Sequence, residues 1–157
     1  MNEHKEQAYA LLNAWTTCDT SQIAGFIDPA FVEIDRPQAQ ANGLAGLKQK
    51  METFHKVHRD VNLRVISQIA SEGVVCSEWV MFASVLASEV PGDERRVTVQ
   101  IPGISWTYFA EGKIVKNRVY RDMVGYLMQR GYRWATPATA PNVTPAASPA
   151  VNPKAAS

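Results

Sequence analysis

Apolar positions recur at helical spacing in the first third of the chain and alternate with polar ones through most of the rest. Ala8, Leu11, Leu12 and Trp15 fall on one stripe, which predicts a helix over residues 3–17, broken by Thr16, Thr17, Asp19 and Thr20. Ser21 to Ile27 reads as a short second helix ending at Asp28-Pro29. Phe31 to Asp35 alternates and reads as a short strand stopped by Pro37. Leu47, Met51, Phe54 and His58 form another stripe, for a helix over 44–57 that follows Gly43.

From Val61 onward the chain is strand-like, over 61–69, 74–86, 96–109 and 113–121. Turn signals separate these runs at Ser71-Glu72-Gly73, Pro91-Gly92-Asp93 and Glu111-Gly112. Pro102-Gly103, inside the third run, predicts a bulge or bend. Asp122 opens a last helix running to about Arg130 and closed by Gly131. Four long strands joined by short turns must be antiparallel neighbours. The expected fold class is α+β: a cone-shaped, curved antiparallel sheet with N-terminal helices packed on its concave face, enclosing a pocket.

Composition changes this picture in one place. Beyond Trp134 the chain is almost entirely Ala, Pro, Thr, Ser, Val and Asn, with prolines at 137, 141, 145, 149 and 153. Prolines at that spacing forbid a helix, so residues 135–157 read as an extended or disordered Ala/Pro-rich tail on a single domain, 1–134. The formal net charge of +1 and the absence of a basic stripe argue against a nucleic-acid partner. No apolar run is long enough for a membrane helix, and Met1 to Glu6 does not read as a signal peptide, so a cytoplasmic location is expected. Cys18 and Cys76 lack metal-type spacing and read as reduced thiols. His55 and His58, three apart on a helix, could chelate in principle, but no further ligand stands at a matching spacing and no metal is expected. Phosphate-loop and dinucleotide fingerprints are absent, so no cofactor is expected.

Several stretches resemble the nuclear-transport-factor-2-like superfamily. Leu11-Leu12-Asn13-Ala14 before a Thr-Cys-Asp break is similar to the end of its first helix. Phe31-Val32-Glu33-Ile34-Asp35 resembles the strand that carries site residues in its steroid isomerases and epoxide hydrolases. Phe109 to Ile114, Asn117-Arg118, Tyr120, Asp122, Leu127 and Gly131 together resemble the C-terminal signature of SnoaL-like polyketide cyclases. The resemblance spans residues 3–132 and implies the cone fold; the superfamily hosts isomerases, cyclases, dehydratases, hydrolases and non-catalytic binders. Some family positions are changed. The last-strand Asp of the cyclases and epoxide hydrolases corresponds to Val119, and the Arg-x-Asp pair of the epoxide hydrolases to Trp79 and Met81. Ser105 stands near the steroid isomerases' Asp, and Tyr9 one residue from their helix-one Tyr.

Glu33 and Asp35 are two apart on a strand and share a face. Either Val32 and Ile34 face the core and the acids face water, or, as the parity of related enzymes implies, the acids line the pocket. Two carboxylates in an apolar cavity could not both ionise easily, which would give one base and one acid. Asn117, Val119 and Arg121 share a face of the last strand, where Arg121 either pairs with Asp35 and stabilises an oxyanion or reaches solvent. Asp122 reads as a helix cap rather than a catalyst. The candidate catalytic set is Asp35 as base, Glu33 as acid and Arg121. Tyr9, Trp15, Met51, Phe54, Trp79, Met81, Ser105, Asn117 and Val119 are the candidate substrate contacts. Trp106 and Tyr108 are expected on the outer sheet face, where a second copy could cover them in a homodimer. The expected function is cofactor-independent proton transfer (isomerisation, cyclisation, dehydration or hydrolysis) on a small apolar oxygenated metabolite such as a polyketide, terpenoid or steroid-like compound. The alternative is a non-catalytic binding or dimeric assembly protein of the same fold.

Overall fold

A computed structural model describes residues 2–35 and 40–134. The elements run α1 (Asn2–Thr17), β1 (Ile27–Asp35), β2 (Ala41–Asn42), α2 (Gly43–Val57), β3 (Arg59–Ser71), β4 (Val74–Leu86), β5 (Arg96–Ala110), β6 (Lys113–Arg121) and α3 (Met123–Gln129). The Ala/Pro-rich segment expected at 135–157 lies outside the described residues.

The α1 stripe is buried as its spacing requires, with Ala8, Leu11, Leu12 and Trp15 packed on the sheet, and Cys18 at φ 54° turns the chain out of the helix. The helix expected over 21–27 does not form. Asp19 takes the Ser21 N–H and hydroxyl at 2.8 and 2.9 Å and starts a series of turns instead. Ile23 and Ile27 are both buried, so their helical spacing reflects two successive turn contacts with the core. Strand β1 begins at Ile27, earlier than its alternating part, because Pro29 and Ala30 sit on the exposed stretch before the register shift at Val32.

One six-stranded, curved and unclosed sheet holds the order β2-β1-β6-β5-β4-β3. The four long strands β3 to β6 are antiparallel neighbours, and β1 joins β6 in parallel. Glu111 (φ 50°) and Gly112 (φ 75°) form a two-residue turn with both φ positive, the geometry that matches hairpin twist. The expected bulge at Pro102-Gly103 is absent from the β4–β5 ladder, where Val80 pairs with Pro102 and Trp79 with Gly103 without a shift. The glycine has another use. A Cβ at Gly103 would lie 2.4 Å from the Trp79 ring, so its absence lets the indole lie flat across β5 and donate Nε1–H to Ser105 Oγ at 2.9 Å. Asp122 caps α3, accepting the Gly125 N–H at 2.7 Å.

The register sets up the site. Facing residues on neighbouring strands share one side of the sheet and contact each other. One inward row runs Glu33–Asn117–Thr107–Val75, and the next runs Asp35–Val119–Ser105–Ser77. Trp106 and Tyr120 are on the opposite, outer face and are exposed, with Tyr108 half-buried beneath Lys116.

Candidate active site

Strand β1 puts its two acids inward. Phe31, Glu33 and Asp35 are buried, at 0%, 0% and 2% exposure, whereas Val32 and Ile34 are only half-buried on the other side. Phe31 and the α2 helix, which packs over β1, hold this face against the core.

Both acids meet cations. Lys50 Nζ of α2 lies 2.8 Å from Glu33 Oε1 and 3.1 Å from Asp35 Oδ2. Arg121 Nη2, at the end of β6, also reaches Asp35 Oδ2, at 2.5 Å. The second Glu33 oxygen takes Asn117 Nδ2–H at 3.1 Å, and Asn117 Oδ1 takes the Thr107 hydroxyl at 3.1 Å. That chain follows a single register row across three strands. Asp35 Oδ1 is buried and has no hydrogen-bond partner among the described residues. The two carboxylates do not share an apolar cavity alone: with Arg121, one of whose expected placements was beside Asp35, and with Lys50 they form a formally neutral cluster.

Two adjoining spaces meet at Trp15 and Arg121. An outer cleft of about 580 Å³ is lined by Trp15, Gln49, Lys50, Thr53, Phe54 and His58 with Arg121 and others. An inner cavity of about 20 Å³ is lined by Glu33, Asp35, Trp79, Ser105, Asn117 and Val119, together with Met81 and Arg121. The outer volume suits a small organic molecule and the inner one roughly a single water or methylene group. Trp15 and Phe54, edge to face at 5.6 Å, make the apolar wall. Two expected contacts are corrected. Tyr9 is 51% exposed, because it lies across α1 from the buried stripe. Met51 is fully buried in the core and lines neither space.

Lys50 was not foreseen, although it lies three residues after Leu47 and four before Phe54, on the buried flank of the α2 stripe. Tyr126 was also missed. Its hydroxyl lies 3.0 Å from His58 Nε2, while His58 Nδ1 lies 3.1 Å from the Phe54 carbonyl. A carbonyl only accepts, so Nδ1 carries the proton and Tyr126 donates to Nε2. His58 also stacks on Phe54 at 3.9 Å. Among the described residues, no group of three or more His, Cys, Asp or Glu could hold a metal, and no helix is long and apolar enough to cross a membrane.

Burial holds the His58 pKa below its ordinary value, helped by Arg121, Arg130 and Arg96 and opposed by the bond to Phe54. Phe54 and Tyr126 complete its surroundings. The unfolded chain therefore binds a proton that the folded chain refuses once pH falls below about 6.5. Stability contributed by neutral His58 is present above that pH and is lost on acidification. Melting temperature should fall between about pH 7.5 and 5.5, and the fall should be shallower in His58→Gln. Parallel melting curves for the two proteins would refute the assignment.

The fold is widely shared among solved structures. AclR from Streptomyces galilaeus, described as a candidate hydroxylase, superposes with a TM-score of 0.68 at 23% identity, over 83% of this chain and 97% of that one. A candidate polyketide cyclase from Xanthomonas campestris gives 0.71 at 16% identity, over 82% and 97%. IdmH from Streptomyces antibioticus, also described as a candidate polyketide cyclase, gives 0.69 at 15%, over 82% and 98%. No curated protein sequence matches the chain at a significant level. At such identities the structures speak for the fold alone. A family model for SnoaL-like polyketide cyclases matches residues 6–130, which takes in most of α1, all six strands, α2 and α3, and the chain belongs to that family, within the nuclear-transport-factor-2-like superfamily.

Proposed function

We propose that this protein is a cofactor-independent, cyclase-type enzyme that removes a proton from carbon beside a carbonyl group in a small, apolar, oxygenated metabolite. Polyketide-, terpenoid- or steroid-like compounds fit that description. The observation that carries the reading is Asp35: buried, lining the inner cavity, fixed through Oδ2 by two cations, with Oδ1 unpartnered among the described residues. A base must be held in place and must keep a lone pair for the incoming proton.

Charge accounting supports the same step. Before reaction, the cluster holds two carboxylates against Lys50 and Arg121. The substrate C–H bond breaks, its proton goes to Asp35 Oδ1, and the electron pair moves through the new C=C bond onto the carbonyl oxygen. Asp35 is then neutral and Glu33 alone opposes two cations. The surplus positive charge matches the enolate, an interaction present only as charge develops. The enolate carbon then either recovers a proton from Asp35 or attacks a second carbonyl to close a ring, in which case the π pair of that carbonyl moves onto its oxygen and the alkoxide takes the proton from Asp35.

Val119 fits this reading. It pairs directly with Asp35 on β1. The carboxylate expected on the last strand is supplied by the neighbouring strand of the same row. The small inner cavity admits only the reacting edge of a ligand whose body lies against Trp15 and Phe54.

The test is deuterium uptake in D₂O at the α-carbon of flat aromatic ketones and 1,3-diketones, followed by NMR. Exchange should depend on the folded protein and saturate with ligand. Tight binding of these compounds without any accelerated exchange would favour a carrier instead.

A further inference from the structure

An ammonium group has three N–H donors and no lone pair. Two of those on Lys50 are taken, by Glu33 Oε1 at 2.8 Å and Asp35 Oδ2 at 3.1 Å. The third has no protein acceptor among the described residues, and Lys50, 16% exposed along its side chain, lines the outer cleft beside Trp15. Glu33 is placed differently. It is fully buried, and both of its oxygens are committed, one to Lys50 and one to Asn117, which Thr107 orients in turn. A substrate proton would have to compete with a bond already made at either oxygen.

We propose that Lys50 holds the negative charge of the reacting substrate oxygen, and that Glu33, Asn117 and Thr107 are positioning residues that act through it. This deepens the proton-transfer reading and rests on it for the word "reacting". The anion site itself stands on geometry alone. Its ligand class is an oxyanion carried on a flat apolar body, such as an enolate or a phenolate. The oxygen would meet Lys50, and the ring would lie against Trp15 and Phe54. Arg121, 6% exposed along its side chain, is the deeper of the two cations and stays with Asp35.

The probe is 4-nitrophenol, whose phenolate absorbs visible light, with nitrobenzene as the analogue lacking the oxygen. Binding to the full chain should raise the ionised fraction of 4-nitrophenol. Lys50→Met should weaken phenolate binding by about tenfold to a hundredfold, as expected for a lost charged hydrogen bond, and leave nitrobenzene binding unchanged. Retained nitrobenzene binding shows that the variant's cleft is intact. Lys50→Arg should restore part of the loss. Asn117→Leu should weaken phenolate binding in the parent and have no further effect in Lys50→Met. A merely structural role would give the same loss in both backgrounds.

Phenolate binding that survives Lys50→Met, or a wild-type protein that binds neither probe, would overturn the proposal. Equal losses from Asn117→Leu in both backgrounds would overturn the positioning part. Phenolate binding through Lys50 without any deuterium exchange would refute proton transfer while the anion site stands. Exchange that persists in Lys50→Met would overturn the hold of Lys50 on the reacting oxygen while proton transfer stands.

Discussion

Asp35→Asn is expected to slow α-proton exchange by about two to four orders of magnitude while ligand affinity stays within a few-fold. The substitution keeps the shape of the side chain. Lys50 and Arg121 both donate to the position of Oδ2, so the amide must place its oxygen there. Its NH₂ group is then forced into the position of Oδ1, the atom left without a partner among the described residues. A donor replaces the lone pair at the one point where the proton must arrive. Glu33 is a poor substitute base, because it is fully buried and each of its oxygens already accepts a hydrogen bond. Removing a buried carboxylate from between two cations will also lower stability, so the rate must be measured well below the variant's own melting temperature. A folded Asp35→Asn protein that exchanges within about tenfold of the parent would remove Asp35 from the mechanism.

The sheet was largely legible in the sequence and the site only in part, for physical reasons. Strands β4 and β6 begin and end where alternation and turn residues place them, because hairpin chemistry is local. The helix expected at 21–27 failed because Ile23 and Ile27 have the same spacing whether they face a core from one helix or from two turns. Only the side chain of Asp19, bonded to Ser21, decides between them. The direction of Glu33 and Asp35 could not be read from β1, since Val32 and Ile34 offer an equally apolar opposite face. The cations that make inward acids tolerable lie 17 and 86 residues away in sequence. Lys50 was hidden by its type: a lysine on the edge of an amphipathic stripe usually carries its charge to solvent. Here its stem follows the apolar face and its head turns to the carboxylates.

The Glu33–Lys50 pair separates stability from chemistry. Glu33→Leu should cost about 3 kcal/mol, toward the low end for breaking a buried pair, because Lys50 is 16% exposed and can partly escape into the cleft. For a folded domain of this size that is a fall in melting temperature of about 10 °C. Asn117 Nδ2–H also loses its acceptor, which contributes about 1–2 kcal/mol of the total. Adding Lys50→Met removes the surplus positive charge, since Asp35 alone would otherwise face both cations, and leaves Asp35 and Arg121 as a balanced pair. The double variant should therefore melt above Glu33→Leu, short of the parent only by the unsatisfied amide, since buried ion pairs can be replaced by apolar residues at little cost. Phenolate binding should not return with the stability, because the donor facing the cleft has gone. A double variant that melts no higher than Glu33→Leu would mean that Lys50 does not depend on that carboxylate, and the chain from Thr107 through Asn117 and Glu33 would lose its purpose.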